Sequence, residues 1–484
     1  MSDPETLSAL DEVEVELEHP IEQEKAVESE RPYFFQLDVL KAIAIIFVVM
    51  DHSLSWDAKS AIGSLFWERL SIPFFLIVMG FNMGYSFKYS EANTLRELYS
   101  LKYFKRKITR YVLPFAVLYM GSIIVGIYLG RLNFDAWILL GYLPFWGPGN
   151  WFIPLLFGSI VVFPLIYWMF KKQPILTMVF CFLSEIILQG IMYFWLPYPI
   201  ESVLEGFITS AIRVNVFFFL PAVGLGLWFS EDHDVRSKRN WFVWIYFPIS
   251  IVFMIDYTTG IISALPNELG QVFTFIQDYI RGDYTLLFYG YAAIWFLFAL
   301  EIVPKNPSGS VQRFIQRIGR ASYHILLFQI FYYSILYSLI APEAQLLKIE
   351  PEFATVLGWS TDLFYIPFYL INLTICLTGG LLWMELEKRA SAKGKPWWQH
   401  IWMKRAGLLF CGIMAFPLMG VSLELIAEYM GLNAWARTHG PFFVLNEYTG
   451  PGFMASFITI LFFIGLSMLC LYKAFTMSDD EIPI

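Results

Sequence analysis

Charged residues are scarce in this sequence. They make up 15% of the 484 residues, whereas 57% are hydrophobic and 19% are aromatic. An ordinary soluble domain contains about 25% charged residues. A soluble chain of this length could not cover so much apolar surface with polar groups. The composition therefore excludes a typical soluble protein and indicates a chain whose solvent is a lipid bilayer.

Cysteine is also rare, and the short motifs of many soluble enzymes are missing. The four cysteines lie within apolar runs and lack the spacing of metal ligands, so we expect neither disulfide bonds nor a metal site from them. The sequence has no glycine-rich phosphate loop and no Ser-centred nucleophile elbow. Its basic residues show no pattern of nucleic-acid recognition. We therefore expect no metal requirement and no nucleic-acid partner.

The first 32 residues contain no long apolar run. They are acidic from Asp3 to Glu30 and poor in aromatic residues, whereas a secretory signal needs a basic start followed at once by apolar residues. This composition predicts a disordered acidic cytoplasmic tail over residues 1–32. Much of the net charge of −8 belongs to this tail, so the charge says little about partners.

Long apolar segments dominate the rest of the chain. Each is about 20 residues long, the length of an α-helix that crosses a bilayer. The sequence thus predicts an all-α polytopic membrane protein with about twelve transmembrane helices. The predicted segments are 34–55, 62–87, 108–130, 150–170, 174–195, 212–230, 241–262, 284–303, 319–340, 362–386, 406–429 and 451–474.

The distribution of Lys and Arg gives an independent test of this topology. Basic residues collect in the cytoplasmic loops of membrane proteins. If both termini are cytoplasmic, the inside loops and tails hold 25 of the 33 basic residues, and the short outside loops hold seven. We therefore expect both termini on the cytoplasmic side of a multi-pass plasma-membrane protein.

The first apolar segment carries an unusual set of ionisable side chains, Asp38, Lys41 and His52. Such residues are expensive within a membrane and are functional candidates. Asp38 and Lys41 are three residues apart and can pair on a helix. Lys41 and His52 are eleven residues apart, so they share a face and are separated by about 16 Å along the axis. Asp51 points about 100° away from its neighbour His52, so we expect no direct contact that orients the imidazole.

Several stretches together resemble the acyltransferase 3 family of membrane-bound O-acyltransferases that modify surface glycans. The signature of that family is a basic residue, ten residues and a His, matched here by Lys41 and His52. The other stretches follow in the family's order. They are Ser71 to Phe81, Lys105 to Pro114, Asn150 to Leu156, and Gly319 to Phe328.

The resemblance implies transfer of an acyl group, usually acetyl, from cytoplasmic acyl-CoA to a hydroxyl of an acceptor such as a glycan. His52 would be a general base or would carry the acyl group covalently. Lys41 would supply a fixed charge near a CoA phosphate or would hold Asp38. A basic cluster at the predicted inner end of the third segment would meet the CoA phosphates. This cluster consists of Lys105, Arg106, Lys107 and Arg110.

Further site residues follow from the same resemblance. Arg69, Ser322 and Tyr323 are candidates for binding substrate and for stabilising an oxyanion. Trp151 is a candidate for stacking against a sugar. The implied organisation is a ten-helix acyltransferase-like domain over residues 33–390, two additional helices within 391–476 and a short cytoplasmic tail over 477–484.

Two alternative functions remain open. Twelve helices with both ends inside is also a common layout of transporters. A family member that has lost turnover and acts as a sensor or scaffold is the other alternative, since this sequence departs from the family at Lys41, Met79 and Gln329. Two acidic residues deep in predicted spans, Glu185 and Asp256, need partners, and Arg213 is a candidate for one of them.

Overall fold

We describe a computed structural model of the protein, which defines residues 32–90, 92, 94–196, 203–359, 362–391, 401–429 and 451–476. Nearly all of the predicted acidic tail, the segment 430–450 and the predicted C-terminal tail lie outside the described residues. Within them the protein is helical, with no strand. The all-α prediction is therefore confirmed.

The described residues form nineteen α-helices, which are numbered here in chain order. The helices are α1 (Phe35–Asp51), α2 (Trp56–Ala61), α3 (Ser64–Lys88), α4 (Leu95–Leu98), α5 (Leu101–Lys107), α6 (Leu113–Leu129), α7 (Phe152–Lys172), α8 (Pro174–Trp195), α9 (Val203–Arg213), α10 (Leu220–Phe229), α11 (Trp241–Thr259), α12 (Glu268–Tyr279), α13 (Tyr289–Ile302), α14 (Ser310–Ile340), α15 (Pro342–Leu347), α16 (Phe353–Leu357), α17 (Tyr365–Ser391), α18 (Ile401–Tyr429) and α19 (Pro451–Thr476).

Seven helical stretches of the described chain are long and apolar enough to cross a membrane. A pair of helices bent by 44°, Leu204–Arg213 and Val216–Phe229, gives an eighth if it is one span. Every one of the twelve predicted segments coincides with a helix, but four of these helices are shorter or have shorter apolar stretches. The structure thus supports a multi-pass membrane fold, and the count of twelve crossings stays a prediction.

Helix α14 packs along α1, and the two run parallel. Gly319 lies against the backbone of Asp38, where a Cβ atom would overlap the Asp38 carbonyl. Eighteen residues further along α14, the Tyr337 hydroxyl donates a hydrogen bond to the carbonyl of His52. The predicted topology gives the first and ninth segments the same direction, as the structure has them. This pairing places the two ends of α1 beside the two ends of one long helix.

Helices α3 and α10 make the closest contact between backbones in this core. A Cβ atom at Gly80 would overlap the carbonyl of Val223, and one at Gly226 would overlap the carbonyl of Ile77. Small residues at such crossings allow close van der Waals packing, the main source of helix association in a membrane. The sequence therefore specifies this contact through two glycines on opposite helices.

The last two helices, α18 and α19, pack mainly against each other. Within the described residues, α18 also contacts α9 and the turn Ala136–Leu140. Ser467 of α19 donates a hydrogen bond to the carbonyl of Gly412 in α18. The pair is therefore attached to the rest of the bundle mainly through the contacts of α18 with α9 and with this turn.

The two buried carboxylates Glu185 and Asp256 are satisfied without the predicted partner Arg213. Glu185 accepts a hydrogen bond from the Leu286 backbone N–H at 2.9 Å. Asp256 accepts one from the Ser263 N–H at 3.0 Å and one from the Gln277 amide at 2.9 Å. The expectation of an ion pair was wrong because backbone groups at chain turns, which the sequence does not mark, satisfy both acids.

Substitution of Gly226 tests the α3–α10 contact. We expect Gly226→Ala to destabilise the protein by about 1–3 kcal/mol, since the added methyl forces the two backbones apart. Unfolding in mixed micelles with increasing dodecyl sulfate measures the change. Gly121→Ala on α6 is the matched control, because a Cβ there meets nothing within 4 Å. Equal stability of the two variants would contradict the proposed packing constraint.

Candidate active site

His52 follows the last residue of α1 and is almost fully buried, with 8% of its surface exposed. Its Nδ1 atom lies 2.6 Å from Oε1 of Glu350. The carboxylate of Asp51 is farther away, at 3.9 Å, in agreement with the expectation that this neighbour does not orient the ring. A residue 298 positions away in the sequence therefore orients the imidazole.

The Glu350 carboxylate determines which nitrogen of His52 carries the proton. Burial alone would raise the pKa of Glu350, but the charges of His52 and Lys59 outweigh it and hold the pKa below its usual range. Glu350 is thus ionised at neutral pH and can only accept a hydrogen bond. Whenever the imidazole is neutral, its proton therefore sits on Nδ1, and the lone pair on Nε2 is available to a substrate. When the imidazole is protonated, Nε2 carries a proton as well, and the positive charge of the ring pairs with Glu350.

Lys59 completes this charged cluster. It lies on α2, which is started by the Ser55 side chain accepting the Ala58 N–H. Its ammonium lies 2.6 Å from Asp51 and 3.7 Å from Glu350. Burial lowers the pKa of Lys59, but these two carboxylates outweigh burial and raise it. Lys59 is therefore a permanent cation between the two acids.

Asp51, His52 and Glu350 are also the one group of side chains in the described chain that could hold a metal ion. Their ligand atoms lie within 4.8 Å of one another. The Lys59 ammonium already contacts both carboxylates. A divalent cation would have to displace it, so these residues do not form a favourable metal site.

The Nε2 side of His52 faces a loop that joins the turn Ala136–Leu140 to α7. A Cβ atom at Gly149 would lie 3.6 Å from His52 Nε2 and 3.7 Å from Gln329 Oε1. Gly149 has a φ of +82°, a conformation that favours glycine. Beside it, Asn150 is buried and both of its amide atoms lack partners within the described residues. Gly149 therefore lies directly beside Nε2, with Gln329 at a similar distance and the buried Asn150 next in the chain.

Helix α14 holds this loop in place. Gln329 donates a hydrogen bond to the Pro148 carbonyl at 3.3 Å, and Ser334 donates one to the Phe145 carbonyl at 3.3 Å. Gly147 packs so closely that a Cβ would overlap the Ile330 carbonyl. The loop and the imidazole are thus positioned by the same helix.

The other end of α1 carries the predicted ion pair. Asp38 and Lys41 are in contact at 2.6 Å. Asp38 also accepts a hydrogen bond from Tyr33 and lies 3.6 Å from the Arg320 guanidinium. Lys41 stands about 16 Å from His52 along the helix. One buried carboxylate therefore gathers two cations at this end.

The predicted CoA-binding cluster lies on α5 and the turn that follows it. Lys105, Arg106 and Arg110 are exposed, whereas Lys107 is half-buried. Lys107 and Arg110 stack over the ring of Tyr111, and Lys41 is near enough to act on the same tyrosine. The structure therefore brings Lys41 and part of the predicted basic cluster to one place.

Ser322 and Tyr323 belong to the Lys41 end. They follow Arg320 on α14, and the Tyr323 hydroxyl donates to the Tyr111 carbonyl at 2.6 Å. About 10 Å of helix separates Ser322 from Gln329, which faces the His52 end. These two residues are thus placed near the basic cluster and away from the His52 imidazole.

Arg69 and Trp151 both contact the segment 283–288. Arg69 is buried, pairs with Asp283 at 3.1 Å and stacks over Tyr257 and Phe288. Trp151 stacks between Phe219 and Tyr284. The contacts of Arg69 are those of a structural residue, while Trp151 lies one position from the unpaired Asn150.

Sequence reasoning missed Glu350 and assigned Lys59 only to an outer loop. Glu350 lies between α15 and α16, where no apolar period or motif marks it. The available signal was its place in an outer loop on the same side as His52. That position made contact possible but did not distinguish Glu350 from the other outer acids.

The pH dependence of stability tests the Glu350 contact. Because its pKa is lowered in the folded protein, its stabilising charge is fully present above the ordinary pKa of about 4.3 and is lost as the pH falls through the lower value. At pH 7 we expect the melting temperature of wild type to be higher than that of Glu350→Gln. This difference should shrink as the pH is lowered. Exposed Glu343→Gln should show no such trend. A difference that stays constant with pH would contradict the assignment.

Comparison with known proteins places these residues in a family. The profile of Acyl_transf_3, described as an acyltransferase domain, matches residues 34–384, well over half of the chain. The match includes both ends of α1 and Glu350, and it ends before α18 and α19. No curated protein and no solved structure matches the chain. The chain belongs to the acyltransferase 3 family, as its ordered motifs predicted.

Proposed function

We propose that the protein is a membrane-bound acyltransferase that moves an acyl group, in the simplest case acetyl, from acyl-CoA to a hydroxyl of a sugar or glycan. The observation that carries the proposal is the buried imidazole of His52. Its Nδ1 is held by Glu350 at 2.6 Å, and its Nε2 faces Gly149 in the loop before α7. Membership of an acyltransferase family supplies the reaction class.

The two ends of α1 have separate tasks in this proposal. Acyl-CoA is cytoplasmic, and the positive-inside distribution favours a cytoplasmic position for the Lys41 end. Lys41, Lys107 and Arg110 would bind the phosphates of CoA there, with Lys105 and Arg106 at the exposed entrance. Asp38 would hold Lys41 in place at 2.6 Å. The flexible arm of CoA would then carry the thioester along α1 towards His52.

The chemical step uses the lone pair on Nε2. His52 takes the proton of the acceptor hydroxyl as its oxygen attacks the thioester carbonyl. The new C–O bond forms, the C–S bond breaks, and the proton passes from the imidazole to the departing CoA thiolate. Glu350 stabilises the imidazolium formed during this step, as the carboxylate does in a catalytic triad. A covalent acyl-imidazole would form at the same nitrogen.

The reaction also needs a donor for the oxyanion. The hydroxyl of Tyr323 is already bonded to Tyr111, and Arg69 is paired with Asp283. The amide of Asn150 is unpaired and follows Gly149, which lies beside Nε2. Asn150 is therefore the better candidate for the oxyanion donor.

The orientation belongs to the proposal as well. Both termini are cytoplasmic, about twelve helices cross the plasma membrane, and the His52 end opens towards the outer side. An acceptor from the outer surface would reach Nε2 past the loop of Gly149 and Asn150. Trp151 would support this loop by packing, because Phe219 and Tyr284 already stack against its ring. The helices beyond residue 391 would be an addition to the ten-helix catalytic domain.

Acetyl-CoA turnover by the purified protein in lipid tests the proposal. We expect His52→Ala to lower kcat for hydrolysis or transfer by a factor of about 10²–10⁴, the usual contribution of a general base. We expect Lys41→Ala to weaken acetyl-CoA binding about tenfold, the effect of about 1.4 kcal/mol from one lost charge contact. Lys41→Arg should retain most of the affinity.

Two control variants separate these effects from general damage. His233→Ala removes a half-buried imidazole that packs against Phe34 and Phe81. Lys88→Ala removes an exposed lysine that pairs with Glu231. Both should turn over acetyl-CoA at close to the wild-type rate. If wild type neither binds nor turns over acetyl-CoA, the enzyme proposal fails and transport assays become the next test.

A further inference from the structure

The side-chain oxygen of Gln329 lies close to Gly149, the residue beside His52 Nε2. Gln329 is completely buried, and its Oε1 atom lacks a partner within the described residues. A buried polar atom left unpaired is unfavourable by about 1–3 kcal/mol. Such an atom needs a partner, which a substrate or a water molecule can supply in a candidate active site.

The orientation of this amide follows from its other contact. The Gln329 Nε2 atom lies 3.3 Å from the Pro148 carbonyl, which can only accept a hydrogen bond. The amino group must therefore face Pro148, and the unpaired atom must be the oxygen. Gln329 thus offers a hydrogen-bond acceptor beside Gly149.

His52 Nε2 is a second hydrogen-bond acceptor beside Gly149. This nitrogen lies 3.6 Å, and Gln329 Oε1 lies 3.7 Å, from the position of a Cβ atom on Gly149. The two acceptor atoms are therefore at most 7.3 Å apart. A hydroxyl has only one proton, so the hydroxyl that reacts at His52 cannot also satisfy Gln329.

We propose that Gln329 is a positioning residue that selects acceptors with a second hydroxyl next to the reacting one. The reacting hydroxyl donates to His52 Nε2, and its neighbour donates to Gln329 Oε1. Vicinal oxygens about 3 Å apart, with hydrogen bonds of about 2.8 Å on each side, span the separation of the two acceptors. This inference rests on the proposed function and adds the acceptor's chemical class.

A matched set of small alcohols tests the proposal. Acetyl transfer from acetyl-CoA is measured with cis- and trans-1,2-cyclohexanediol, cyclohexanol and cyclohexylamine at equal concentration. We expect wild type to prefer at least one diol over cyclohexanol by about tenfold in kcat/KM, the effect of one hydrogen bond to a buried group. We expect Gln329→Met, which keeps the volume and removes the acceptor, to lose this preference.

Gln345→Met is the control for structural damage. Gln345 is also buried, and it donates to the Trp146 carbonyl of the same loop. The Gln345→Met variant should retain the preference for the diol. Because each result is a ratio between acceptors, a general loss of folded protein does not alter it.

Each other outcome overturns a specific part of the argument. Equal transfer to diols and cyclohexanol by wild type, or a preference that survives in Gln329→Met, overturns the role of Gln329. Preferred transfer to cyclohexylamine with the same dependence on Gln329 overturns the proposed selection of vicinal diols. A single amine nitrogen would then donate the hydrogen bonds to both His52 and Gln329. Absence of any His52-dependent turnover, including hydrolysis, overturns the proposed function itself and this inference with it.

Discussion

The parallel contact between α1 and α14 is the constraint on which the rest of the candidate site depends. Gly319 brings the two backbones together at Asp38, and Tyr337 bonds the carbonyl of His52 at the other end. Between these points α14 presents Gln329 to the loop that faces the imidazole. A shift of α14 relative to α1 would therefore alter the contacts at the Lys41 end and at the His52 end at the same time. The packing of these two helices thus couples the two ends of the site.

At both ends of α1, buried and partly exposed charges balance one another. Asp38 collects Lys41 and Arg320, and Asp51 with Glu350 collects Lys59 and His52. Removing one partner of such a group leaves an uncompensated charge, which is more unfavourable than losing the whole group. Each end is therefore a cooperative unit, and its members are best understood together.

Local patterns predicted much of the fold, and part of the site. Apolar length placed all twelve predicted segments on helices, and the ordered motifs identified the family. Helical spacing predicted the Asp38–Lys41 pair. Glu350 escaped because its contact with His52 joins residues 298 positions apart, and it lies in a loop without periodicity. Arg213 was wrongly offered to Glu185 or Asp256, because backbone N–H groups at turns have no sequence signature.

The place of Lys59 has a consequence for how the site responds to its surroundings. Many buried acidic clusters take their counter-ion from solution. Their charge balance therefore varies with the concentration of that ion and is lost when a chelator removes it. Here the cation is covalently attached and lies 2.6 Å from Asp51. A tethered charge has a high effective concentration and, when buried, is only weakly screened by salt. The charge balance around His52 is therefore encoded in the chain and depends little on the ionic composition of the medium.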